Sequence, residues 1–297
     1  MTIEEEISKV KESDAVFLHM AHWSGTRIKV VTPKIGKKLA DKLSDIVIKN
    51  LESKKGCSEE PYNVVGSKDD TIETAKKSSY EEKISNILEA IKNPTVKFKF
   101  QQNNFDFFIY EFPLTEEQSI LAFRRTKKMQ FLKKGFIGQL SEGHFKDIDE
   151  ENLIGVDDCI DFILDDDDII IFQHISFERV LKLKNEFTRI ARKVLNKSEF
   201  EEKIVGFDEL KDVALNNGNY VKRLSKLGGT NRPTLFLEDL EKTKQVSDEF
   251  NLGITVDVSS EKIFFNDVTQ VGDFINFMQD AYYQTLIGNE LGRDEMR

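Results

Sequence analysis

The chain alternates apolar and polar positions with two different periods, and the change between them organises it. From Ala15 to Met20 an apolar run predicts a strand, and Arg27 to Val31 predicts a second after a Ser24-Gly25 turn, so a hairpin is expected near the start. Thr32 and Pro33 have the chemistry of an N-cap followed by a first-turn proline. Ile35, Leu39, Leu43, Ile46, Val47 and Leu51 then share one helical stripe that ends near Ser53. Lys54 to Ser79 is dominated by Lys, Ser, Gly, Asp and Glu and reads as a long loop. A helix from Tyr80 to Lys92 carries Ile84, Ile87, Leu88 and Ile91 inward, and Asn93-Pro94 stops it.

Beyond this point the period shortens to two. Val96 to Phe100, Phe105 to Phe112 and Ser119 to Arg125 are rich in aromatic and β-branched residues that suit a pleated surface. Phe131 to Leu140 and Ile160 to Phe172 continue the pattern, the latter folded about an Asp165 to Asp168 turn. A meander of five or six strands is expected. From Ser176 the period returns to 3.6, and Phe177, Val180, Leu181, Phe187, Ile190, Ala191, Val194 and Leu195 predict one long helix to Asn196. Shorter helices are expected over Phe207 to Leu215, Tyr220 to Leu227 and Thr234 to Phe250. A hairpin from Ile254 to Phe265 and a final helix from Val271 to Leu286 follow. The class is therefore α+β, mostly antiparallel sheet packed with helices. An N-terminal α+β part, residues 1–95, is expected to precede a second α+β domain, residues 96–297.

Composition narrows the classes of function. Hydrophobic residues make up 39% of the chain, with 23 Phe, which is ample for a buried core. A formal charge of -10 argues against a protein that coats nucleic acid over its whole surface, although a local basic face survives such a total. The two cysteines, Cys57 and Cys159, lie far apart and form no C-x-x-C pair, so a reducing, cytoplasmic setting is expected. Met1 to Lys11 has no apolar h-region, and no apolar run approaches the roughly 20 residues of a membrane span.

Two basic groups carry the candidate chemistry. Arg124, Arg125, Lys127 and Lys128, followed by Lys133 and Lys134, run without an intervening acid, which makes that edge electropositive and a candidate for phosphate contact. Arg179, Lys182, Arg189, Lys193 and Lys197 form a stripe on the long helix, interrupted by Glu186, that suits a phosphate backbone. The plain alternative for both is a solvated turn and a solvated helix face. Lys222, Arg223, Lys226 and Arg232 form a weaker third group. Asp157, Asp158, Asp161 and Asp165 to Asp168 offer oxygens for a divalent cation, but aspartates crowded into one turn mostly splay outward. The four histidines follow no metal-ligand spacing, and no nucleotide or nucleophile motif is present. Neither a metal nor a cofactor is expected, and catalysis finds no support in these residues.

Ala122-Phe123-Arg124-Arg125, then Ile160-Asp161-Phe162-Ile163 with its acidic turn and Ile169-Ile170-Ile171-Phe172, then Phe177-Glu178, together resemble the DUF4868 family. So does the closing stretch Phe274 to Tyr283 followed by Thr285-Leu286-Ile287-Gly288. The resemblance covers about the last 200 residues. It implies a DNA-binding protein of the bacterial Kiwa anti-phage defence system, without known catalysis. It further implies a homodimer that acts with a small membrane partner similar to KwaA, which would recruit it to the inner face of the cell membrane. The rivals are a metal-dependent nuclease using Asp157 and Asp161, and a non-catalytic interaction scaffold.

Overall fold

The computed structural model describes residues 2–66, 70–95, 105–126, 137–141, 144–148 and 156–294. Two units divide it: Met1–Tyr62 with Asp69–Leu181, and Asn63–Lys68 with Lys182–Arg297. The first contains α1 (Ile3–Glu12), β1 (Phe17–Ser24), β2 (Arg27–Val31), α2 (Lys37–Glu52), β3 (Ser58–Pro61), β4 (Thr71–Lys76) and α3 (Glu81–Lys92). It continues through β5 (Phe107–Pro113), β6 (Ser119–Arg125), β7 (Ile137–Ser141), β8 (His144–Ile148), β9 (Phe162–Asp165), β10 (Asp168–Ile171) and α4 (His174–Val180). Eight of the strands form one sheet in the order β2-β1-β5-β6-β9-β10-β4-β3, antiparallel except for the β3–β4 pair. The strand β1 pairs with β5, so segments from either side of residue 95 share this sheet, and the units part at Leu181/Lys182 instead.

The central strands are buried on both faces, which explains their nearly continuous apolar sequence. On one face Phe108, Tyr110, Phe112, Ile120 and Ala122 meet Ile3, Ile7 and Val10 of α1 and Leu43, Val47 and Leu51 of α2 in a single core. The remaining aromatics stack among themselves: Phe123 lies 4.2 Å from Phe162, and Phe162 meets Phe177 of α4 edge-on at 5.2 Å. Helix α1 starts in a capping box, with the Glu5 amide donating to Thr2 Oγ1 and the Thr2 amide donating to Glu5 Oε2.

Several expectations change. The chain from Lys54 to Ser79 is not one loop, because it supplies β3 and β4 at the far edge of the sheet. Helix α2 is entered at Gly36, not at Thr32-Pro33. The predicted strand over Val96 to Phe100 lies outside the described residues, as does Phe131 to Phe136 of the strand predicted as far as Leu140.

The second unit contains α5 (Leu183–Leu195), α6 (Ser198–Lys203), β11 (Ile204–Val205), α7 (Phe207–Asn216), α8 (Gly218–Ser225) and α9 (Leu240–Glu249). It closes with β12 (Thr255–Asp257), β13 (Lys262–Phe264), α10 (Val271–Gln279), β14 (Tyr282–Gln284) and β15 (Leu291–Arg293). Phe200 stacks on Phe207 at 5.4 Å and Phe236 on Phe277 at 5.5 Å, which gives this unit its own aromatic core. The last helix ends at Gln279, because Asp280 takes a left-handed φ of 54°. The chain then turns into the β14–β15 hairpin instead of continuing to Leu286. The α+β class read from the sequence holds throughout. Among the described residues no helix is long and apolar enough to cross a membrane.

Candidate nucleic-acid interface

The two basic groups meet opposite fates. Pairing of β6 with β5 and β9 brings Arg124 over the chain at Asp157 and Asp161. Its Nε donates to Asp157 Oδ1 at 2.6 Å, its Nη1 donates to Asp161 Oδ1 at 2.6 Å, and its Nη2 bonds the other Asp157 oxygen. The second oxygen of Asp161 accepts the Arg125 amide at 2.5 Å, and the Asp161 carbonyl accepts the amides of Phe172 and Gln173. Arg124 is only 4% exposed and Asp161 is wholly buried. Burial alone would favour loss of the Arg124 proton, but the bonds and charges of Asp157 and Asp161 outweigh it and hold the guanidinium more firmly protonated than usual.

Arg124 is thus an internal clamp, which corrects its assignment to a phosphate-binding edge. The same pairing takes Asp157 and Asp161 away from the cation-binding role of the rival reading. Among the described residues, no group of three or more His, Cys, Asp or Glu side chains is placed to hold a metal ion. Arg125 is half-buried, and Lys127 and Lys128 lie outside the described residues.

Two further buried polar clusters lie in the same unit. His174 Nδ1 sits 2.7 Å from Glu73 Oε2, its Nε2 is 3.0 Å from Glu178 Oε1, and Tyr62 stacks on its ring at 5.0 Å while donating to Glu178. Burial opposes a charged imidazole, but the two carboxylates prevail and lift its pKa to about 9. Near α1, Glu6 is fully buried, and Lys9 bridges it to Asp165. Burial and the neighbouring Asp165 charge raise the Glu6 carboxyl to about 7, against the pull of Lys9. The side chains of His174, Glu6 and Asp165 are all nearly closed to solvent, so these clusters order the fold instead of offering groups to a substrate.

The helix expected from Ser176 to Asn196 is two helices. Lys182, with a left-handed φ of 54°, separates α4 from α5. Arg179 is exposed on α4 and Lys182 is half-buried at the break, so the single stripe through Arg179, Lys182, Arg189 and Lys193 does not exist. What survives belongs to α5. Phe187, Ala191, Val194 and Leu195 are buried, while Arg189, Arg192 and Lys193 face solvent. With Asn185, Thr188 and Asn196 they line an open recess of about 640 Å³. Gly228, three residues beyond α8, packs against α5 from behind, where a Cβ would come within 2.5 Å of Ile190 Cγ2.

Arg192, which the sequence reading left out, is central to this face. It follows Asn185 and Thr188-Arg189 at helical spacing, and that spacing alone would have found it. The Arg189 guanidinium is paired with Glu186, but both side chains are largely exposed and such a pair contributes little. The third group is dispersed: Arg223 is spent on Asn276 and Gln279, and Lys226 is half-buried. The α5 face presents cations and amides with no exposed aromatic ring, an arrangement suited to phosphate oxygens rather than to stacked bases.

A family model described as Kiwa protein KwaB-like matches residues 92–288. No curated protein and no solved structure matches the chain.

Proposed function

From its membership of the KwaB-like family, to which the match over residues 92–288 shows that the chain belongs, we propose a DNA-binding role in Kiwa anti-phage defence. The protein binds DNA without sequence specificity through the α5 face, with Arg189, Arg192 and Lys193 on phosphates. It acts as a homodimer, together with a small membrane protein similar to KwaA. The observation that carries this reading is the outward cluster of three cations on one helix in a chain of formal charge -10. A patch of this kind steers a polyanion locally although the whole molecule repels it. Arg125, Lys127 and Lys128 remain in the proposed contact set, whereas Arg124 is replaced by Arg192.

Salt titration of binding to a random-sequence duplex, followed by fluorescence anisotropy, tests the proposal. Three phosphate contacts predict a loss of about 40-fold in affinity between 50 and 200 mM salt, and all six about 1,800-fold. Arg189→Glu, Arg192→Glu, Lys193→Glu together should abolish binding at the higher salt. Salt-independent binding, or equal binding by the triple variant, would refute it.

A further inference from the structure

The β14–β15 hairpin ends in Leu286 and Ile287, which are 99% and 100% exposed. These are not residues of an unstructured tip. The Thr285 amide donates to the Glu290 carbonyl at 2.9 Å, the Asn289 amide to the Thr285 carbonyl at 3.0 Å, and the Glu290 amide to Thr285 Oγ1 at 2.9 Å. Across the strands Tyr283 lies opposite Gly292, so close that a Cβ there would come within 2.5 Å of the ring. The base is fixed to the second unit by Tyr282, which donates to Asp273 at 2.9 Å and packs on Phe250 at 4.8 Å. A fastened base and a closed turn therefore hold two aliphatic side chains in water. Such preorganised apolar display is the signature of an anchor for a pocket elsewhere.

We propose that this hairpin is a docking knob for a protein partner that offers an apolar socket with a basic rim. The rim follows from charge: Glu290 adjoins the tip and Asp280 and Asp294 flank its base, while Arg293 is already opposite Asp273. A lipid surface fits poorly. Leu286 and Ile287 together carry fewer carbons than one myristoyl chain, which by itself holds a membrane only marginally, and an anionic surface repels the neighbouring acids. A second copy of the chain fits poorly too. The three recesses beside Arg192, Lys49 and Glu241 are lined mainly by charged and amide side chains and offer it no apolar socket. The knob also covers far less than the about 800 Å² per partner of a stable interface, so it serves as an anchor within a larger contact.

The test rests on the membrane partner named under the proposed function. The full chain is co-expressed with that KwaA-like protein, solubilised in detergent, and compared with Leu286→Ser, Ile287→Ser. The double variant is expected to lose at least tenfold in affinity for the partner, with its melting temperature and DNA affinity unchanged. Leu286→Met, Ile287→Leu should retain binding, and Gly292→Ala, which displaces the Tyr283 ring, should weaken it. Equal binding by the serine variant would overturn the knob. Sedimentation with phosphatidylcholine or phosphatidylglycerol vesicles, or self-association lost in the serine variant, would overturn the choice of partner. If even the unaltered chain fails to bind the KwaA-like protein, the partner reading falls and takes the docking proposal with it.

Discussion

Arg124 and Arg192 stand in equally basic stretches of sequence, yet one is sealed into the sheet by two aspartates while the other faces water from α5. Partners that lie 33 and 37 residues away along the chain make the difference. Removing a carboxylate from Arg124 leaves a buried charge half-paired, whereas removing a cation from α5 leaves the fold intact and alters only what the surface attracts. A run of like charge therefore reports a candidate patch only after its long-range partners are known.

The sharpest way to break this contrast is Asp161→Ala. It removes both a bond to Arg124 and the acceptor of the Arg125 amide, and is expected to cost about 3–5 kcal/mol in urea unfolding. A loss below 0.5 kcal/mol, the usual bound for a surface site, would return Arg124 to the exposed class. The next largest effect comes from His174, whose folded pKa of about 9 lies above the ordinary 6.5. Its charge stabilises the fold fully below about pH 6.5, and that contribution, on the order of 3 kcal/mol, is lost as pH rises through 9. Unfolding curves across that range should slope downward for the natural chain and flatten for His174→Gln.

Glu6 works in the opposite sense. A carboxyl raised to about 7 holds its proton more tightly folded than unfolded, so stability falls as pH rises from the ordinary carboxylate range through 7. Glu6→Gln should remove that slope and raise stability above pH 7. The smallest effect on stability belongs to the triple Glu variant of Arg189, Arg192 and Lys193, within about 0.5 kcal/mol, while its DNA affinity collapses. A matching loss of stability would place those side chains among the structural charges.

The parts of this picture that were legible in sequence are the local ones. Phe187, Ala191, Val194 and Leu195 announced α5, and the apolar runs at Phe107 and Ile120 announced β5 and β6. Helix α1 was not among the expected elements, although the capping box of Thr2 with Glu5 and the spacing of Ile3, Ile7 and Val10 carry its signal. Other features left no local trace. Strand β4, Thr-Ile-Glu-Thr-Ala-Lys, has one strongly apolar residue and becomes a strand because β10 supplies its bonds. Lys182 has no breaker chemistry, Arg124 carries in its neighbours no sign of Asp157 and Asp161, and His174 none of Glu73, although its second partner Glu178 lies only four residues on in the same helix.

The order of the strands also bears on how the chain is made. Lys76 of β4 waits for Asp168 of β10, which leaves the ribosome 92 residues later. At about 5–20 residues per second that interval lasts roughly 5–18 s, during which β4, beside β3 on its outer edge, has no neighbour on its inner edge. The nascent polypeptide must therefore pass through a half-finished sheet with an open border, and chaperone occupancy during synthesis should peak before β10 emerges.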